Sequence, residues 1–256
     1  MKTSILALAL LGAACGAAAQ APAAWQLELG TARESLTRGL PDWTQTDIAV
    51  RRALAPRTTV ELNARRTERF GLRDSEWGLA AALPLAPGWS ASLGATASDT
   101  HRVLPRASAL AGLQRELGDG WVAGASLRHT RYSADRANAL ALEAERYFGS
   151  AAAGEWRVAA QLTAARLAGV GGTQSLRVQV DRYFGPRSRV GLLASTGREI
   201  DHLGQGRALV SDAQTVVLLG RWAVDADWSL TGELGSTRLA DRYRRSGGRL
   251  GVQLDF

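Results

Sequence analysis

From Trp25 onward, apolar side chains fall at nearly every second position. Trp25, Leu27 and Leu29 alternate with Gln26, Glu28 and Gly30, and Leu250, Val252, Leu254 and Phe256 alternate with Arg249, Gly251, Gln253 and Asp255. A period of two is that of a β-strand with one apolar face. Turn-forming residues interrupt it at Ala55-Pro56, Pro87-Gly88, Gly118-Asp119-Gly120, Gly185-Pro186 and Asp225-Ala226-Asp227. Cutting the chain there predicts fourteen strands, starting near residues 24, 43, 58, 74, 88, 106, 121, 137, 154, 173, 188, 209, 228 and 245. The stretch from Val210 to Trp222 has no clear facing, which leaves twelve strands open. Most strands run to about 11 to 13 residues, the length a tilted strand needs to cross a bilayer.

A soluble sandwich and a membrane barrel both alternate, so the choice rests on what occupies each face and each end. The polar face carries many small residues as well as charges, as a barrel interior filled by its own side chains would. If the N-terminus lies in the periplasm, odd strands start at that edge and even strands finish there. Trp25, Trp89, Trp121, Trp156 and Trp228 then fall at strand starts, and Phe148, Phe184 and Phe256 at strand ends. Aromatic residues at one level form the girdle of a membrane interface. Trp43, Trp77, Phe70 and Tyr132 mark the opposite edge more sparsely. The expected fold is an all-β, antiparallel transmembrane barrel of the outer-membrane type, spanning residues 24–256, with both termini in the periplasm. Phe256 on an alternating last strand resembles the C-terminal signal read by the bacterial barrel-assembly machinery, the expected partner.

The N-terminus fits that destination. Lys2, the apolar run Ile5–Leu11 and the small residues Ala13–Ala19 read as a cleaved signal peptide, residues 1–19, with cleavage near Ala19 or Ala21. Cys15, the only cysteine, lies inside it, so no disulfide or thiol chemistry is expected in the mature chain. Net charge is +7, and Lys2 is the only lysine. A basic exported protein meets anionic lipid or glycan sooner than nucleic acid, which is not an expected partner.

Parity sends one set of charges inward: Glu28, Asp47, Arg51, Glu61, Arg65, Glu76, Glu116, Arg128, Glu143, Glu145, Arg157, Arg177, Asp181, Glu233, Arg249 and Asp255. Both signs are mixed, so pairs crossing the lumen are expected. Small walls favour a water path and mixed charges favour a clogged one. No outer loop is long enough for an inserted constriction. Arginines at the outer rim, Arg69, Arg73, Arg102, Arg106, Arg242, Arg244 and Arg245 among them, suit the phosphates of lipopolysaccharide, since guanidinium grips phosphate bidentately. The rival reading is a lipid- or peptide-modifying barrel enzyme with a rim site at His101 or His202. His129 is placed facing lipid. No Gly-x-Ser-x-Gly motif and no metal-ligand spacing appears, so no catalytic residue, metal or cofactor is assigned.

"ERYFG" (145–149) and "DRYFG" (181–185) repeat one way of ending an even strand. Glu145, Asp181, Tyr147 and Tyr183 point inward, Phe148 and Phe184 meet lipid, and Arg146 and Arg182 snorkel toward phosphates. "HRVLPRASALAGLQRELGDGWVAGASLRHTRY" (101–132), "QSLRVQVDRYFG" (174–185), "GLLASTGREI" (191–200) and "TVVLLGRW" (215–222) resemble the YaiO-type outer-membrane barrel proteins. The resemblance implies an outer-membrane barrel associated with glycan or surface-polysaccharide systems, and the expected function is a non-enzymatic, porin-like barrel, either a small pore or a structural or assembly component. It supplies no catalytic residues. Some relatives carry an N-terminal helical-repeat region, which this chain lacks between the signal and its first strand.

Overall fold

The computed structural model describes residues 25–150, 154–169, 171–202, 208–240 and 242–256. The expected signal peptide lies outside them. Among the described residues there are fourteen strands: β1 Trp25–Leu36, β2 Trp43–Ala55, β3 Thr58–Arg69, β4 Leu72–Ala86, β5 Trp89–Ser98, β6 Ala107–Gly118, β7 Trp121–Arg131, β8 Arg136–Ser150, β9 Gly154–Leu167, β10 Gly171–Tyr183, β11 Arg189–His202, β12 Ala208–Ala223, β13 Trp228–Leu239 and β14 Tyr243–Asp255. Each pairs antiparallel with its sequence neighbours, and β1 pairs with β14, so the sheet closes on itself. Closure leaves no unpaired edge, the condition for a sheet to sit in lipid.

Every start lies within two residues of its expected place. β12, whose facing the pattern left ambiguous, pairs with β11 over Ala208–Arg221 and with β13 over Ala213–Ala223, which settles its facing. Ala213, Thr215 and Val217 are buried, whereas Val216, Leu218 and Trp222 are exposed.

Polarity is inverted relative to a soluble domain. Glu61, Glu76, Glu145, Arg157, Asp181, Arg249 and Gln253 are buried, whereas Leu62 is 62% exposed and Leu250 72%. A soluble protein would not present so large an apolar surface to water. Here it forms the band that meets lipid.

The two ends of the barrel differ. At the end holding both termini, the turns β2–β3, β4–β5 and β6–β7 have only two residues each. Arg57, Gly88, Asp119 and Gly120 supply the positive φ they need, and each turn follows a register shift. Gly120 is also required sterically, since a Cβ there would collide with the Tyr147 carbonyl. In the β12–β13 turn, Asp225 accepts hydrogen bonds from the backbone N–H groups of Trp228 and Asp227, which hold its carboxyl below the usual carboxylate range. Connections at the opposite end range from the two residues of Phe70–Gly71 to the eight of Asp99–Arg106.

Candidate lumen and its closed mouth

Most of the charges expected to face inward are ion-paired. Arg51 meets Glu61 at 2.9 Å, and Arg65 meets Glu76 at 2.7 Å, each pair directly opposite in the register. The largest cluster spans β8, β9 and β10. Arg157 donates through Nε and Nη2 to both oxygens of Glu145 (2.9 and 2.8 Å) and through Nη1 to Asp181 (2.9 Å). The Tyr147 hydroxyl donates to the same Glu145 at 2.8 Å. Arg177 and Glu143 extend the cluster at 3.7 Å.

A second cluster staples the closing seam. Arg249 on β14 reaches across β1 to Asp47 on β2 and also contacts Glu28 on β1 at 2.9 Å. It passes over Gly30, where a Cβ would overlap its guanidinium, and Gly30 lies directly opposite Asp47. The glycine is the gap through which the arginine crosses. Replacing Gly30 with leucine is therefore expected to lower the temperature at which the folded, fast-migrating gel species disappears. No shift would show that Arg249 finds another path.

These clusters fill one side of the lumen, and the other side is hollow. Small inward residues on β4 to β7 are Ala80, Ala82, Ser92, Gly94, Thr96, Ser108, Gly112, Gly124 and Ser126, set among the larger Glu76, Leu110 and Gln114. They line a cavity of about 200 Å3 that Arg128, Glu143 and Gln161 also reach. The small side chains on these strands leave that part of the lumen unfilled.

The mouth opposite the termini is closed by two features. Leu36, Trp43, Leu239 and Tyr243 point inward and pack together with Phe70. Trp43 makes edge contacts with Phe70 at 5.1 Å and Tyr243 at 6.1 Å between centroids. Tyr132, Ala137 and Leu167 form a smaller cluster nearby. The second feature is the Asp99–Arg106 loop, which turns back over the lumen although no outer loop was expected to constrict it. Asp74, inward and buried, accepts hydrogen bonds from the backbone N–H groups of Val103 (2.7 Å) and Leu104 (2.8 Å) and from the Thr100 hydroxyl (2.5 Å). Val103, Leu104 and Pro105 are buried as a result, and Pro105 and Tyr132 roof the cavity. Loop length misled because a short loop needs only one inward acceptor to draw it over the opening.

Two rim arginines lie elsewhere than expected. Arg69 and Arg245 stack on Trp43, at 4.9 and 5.3 Å from its ring, and Arg245 is buried, reaching Glu34 at 3.4 Å. Both share the parity of inward neighbours on their strands, so they belong to the mouth cluster and not to a lipid contact. Trp43 and Tyr132 are likewise lumen residues, not part of an outer girdle, whereas Trp77 faces outward. Arg102, Arg106, Arg242 and Arg244 are exposed, and Arg73 pairs with Glu68 at 2.7 Å. His101 sits in the folded loop, its carbonyl accepting from the Ser133 hydroxyl at 3.0 Å. His129 faces outward against Asn138 at 2.7 Å. His202 pairs with Ala208 through the backbone, and its side chain lies outside those described.

At the termini end, the outward aromatics have arginine partners. Arg52 lies 4.8 Å over Trp25, Arg115 5.1 Å over Trp89, Arg146 5.1 Å over Trp121 and Arg182 5.4 Å over Trp156. In each case the two residues are directly opposite in the register. The arginine of each Arg-Tyr-Phe-Gly copy thus caps a neighbouring indole, a cation–π contact made at a desolvating interface.

Solved structures with the same fold are outer-membrane barrels and channels. A bacterial polysaccharide outer membrane secretin superposes with a TM-score of 0.62 at 10% identity, covering 92% of this chain and 99% of that one. The CymD monoaromatic hydrocarbon channel gives 0.57 at 11% identity, covering 93% and 90%. Omp33 of Acinetobacter baumannii gives 0.56 at 7% identity, covering 91% and 98%. Identities this low establish the shared fold alone. No curated protein sequence matches the chain. The model of the YaiO membrane beta barrel domain matches residues 25–200, more than half the sequence, and the chain belongs to that family of bacterial outer-membrane β-barrels.

Proposed function

We propose that this barrel is a narrow, gated outer-membrane pore with its termini in the periplasm, and that solutes pass along the hollow side of the lumen. The observation that carries this reading is the asymmetry of the interior. Ion-paired clusters crowd β8–β10 and the seam of β14, β1 and β2, while small residues on β4–β7 leave room for a cavity that charged residues of β2 and β3 also border. A barrel serving only as a structural component has no need of an unfilled lane. The lane suits a small polar solute or one extended glycan strand. The fold shared with a polysaccharide secretin supports the glycan as the cargo class. We also place Arg102, Arg106, Arg242 and Arg244 against the phosphates of lipopolysaccharide, and Phe256 at the contact with the assembly machinery.

The rival reading, a rim enzyme at His101, has little to build on. Among the described residues the His101 Nδ1 is buried without a hydrogen-bond partner, so no carboxylate orients the ring as a general base requires.

Conductance of the refolded chain in planar bilayers tests the pore. Gly94 offers a clean block, because a Cβ there meets only ordinary contacts, with Leu110 Cβ at 3.7 Å and the Leu79 carbonyl at 3.8 Å. Gly94→Arg is expected to fold normally and to cut the conductance of each step severalfold. A wild-type barrel that gives no steps under any voltage sinks the proposal.

A further inference from the structure

Across the lumen from the hollow wall, at the periplasmic mouth, Arg189 and Arg221 stand directly opposite each other on β11 and β12. Like charges in this cross-strand position repel. Arg51, Arg65, Arg157 and Arg249 each meet a carboxylate within 3.0 Å, but here the local carboxylates are already taken. Asp181 is held by Arg157 at 2.9 Å and by Gln179 at 2.9 and 3.0 Å, which leaves Arg189 at 3.9 Å. Asp255 is held by Gln26 and Gln253, both at 2.7 Å, and by Arg187 at 2.6 Å, which leaves Arg221 at 3.6 Å.

Arg187 is committed as well, since it bridges the β10–β11 turn to the Asp225 and Ala226 carbonyls and to the Ser229 hydroxyl. Glu28 is occupied by Arg249. Glu233 comes within 4.0 Å of neither guanidinium, and Arg221 Nε is buried with no hydrogen-bond partner. The Arg189 and Arg221 side chains nevertheless keep 26% and 27% of their surface open. Tyr183, the register partner of Arg189, adds a hydroxyl beside it.

We propose that Arg189 and Arg221 form an oxyanion site at the periplasmic mouth, binding a carboxylate or phosphate group of the solute, with Tyr183 as a further donor. Two guanidiniums on register-paired residues offer N–H donors that suit a carboxylate or phosphate edge, and a bound anion offsets the repulsion between them. Nearby Asp181 and Asp255 keep the site from holding its anion permanently, as a point of entry requires. The cargo this selects is an acidic sugar, a uronate or a sugar phosphate. The inference deepens the pore reading by naming the chemistry of its solute.

Binding can be measured without conduction, by calorimetric titration of the refolded full chain in zwitterionic detergent. Glucuronate, glucose 6-phosphate and glucose serve as matched carboxylate, phosphate and neutral probes. At least one anionic probe is expected to bind more tightly than glucose, and the tighter of the two identifies the acidic group. Arg189→Ala/Arg221→Ala is expected to weaken that binding by about tenfold or more, the loss of roughly one charge-assisted pair. Arg189→Gln, which keeps Arg221, covers the case in which the double variant fails to refold. The site is overturned if neither anion exceeds glucose, or if binding survives the substitutions. A conducting barrel with no anion preference removes the site and leaves the pore, whereas a silent barrel that binds removes the pore and leaves the site.

Discussion

Replacing Arg157 with methionine is expected to destabilise the barrel more than any other single change at its lumen charges. Glu145 and Asp181 would lose the guanidinium that satisfies three of their oxygens, in a place where their side chains are 6% and 0% exposed. Leaving buried charge uncompensated costs about 3–5 kcal/mol, whereas replacing an entire buried network with neutral groups can cost almost nothing. The single variant should therefore lose its folded, fast-migrating gel species at a clearly lower temperature than wild type. Arg157→Met/Glu145→Gln/Asp181→Asn should recover much of the loss, because the triple variant leaves no charge behind. If the triple variant is no more stable than the single one, packing of the arginine stem is what matters and the electrostatic account is wrong.

The second large effect concerns the mouth. Asp74→Ala removes the acceptor of two backbone N–H groups and one hydroxyl that together hold the Thr100–Pro105 segment over the lumen. Each buried donor left unpaired costs about 1–3 kcal/mol, so the folded-in loop loses its main reason to stay. Val103 and Leu104 would swing out, and the hollow lane would open to the outside. In planar bilayers the variant should conduct in longer and larger steps than wild type. Conductance and gating identical to wild type would mean that the Trp43–Phe70–Tyr243 cluster alone sets the opening. The barrel itself should survive, because its strand pairing does not pass through this loop. Heat-modifiable migration then separates a gating change from a folding failure.

How much of this was legible in the chain depends on the range of the interaction. Strand starts and most facings follow from alternation, since a pleated backbone turns successive side chains to opposite faces, but the facing of β12, and with it fourteen strands against twelve, came only from its pairing. Parity alone also places Arg69 beside Arg65 and Thr67, and Arg245 beside Gly247 and Arg249, on the inner face. Their height near the rim made them read as lipid contacts, and parity was the stronger signal. The stacking of Arg146 on Trp121 was out of reach, because it depends on which residues the register sets opposite each other. So was Arg249 with Asp47, which lie 202 positions apart and meet only when the first and last strands join. The juxtaposition of Arg189 with Arg221 is of the same kind, two strand ends that look unremarkable until they are paired.

By itself, then, the sequence determined that this is a closed, membrane-facing β-barrel with a girdle of aromatics and a charged interior. Those properties belong to single strands and to their period of two. The tertiary structure alone decided that the interior has a filled side and a hollow side, that a short loop closes one mouth, and that two arginines wait side by side at the other. Each of these depends on which strands become neighbours when the barrel closes and on where their side chains then meet across the lumen, and no local pattern encodes that.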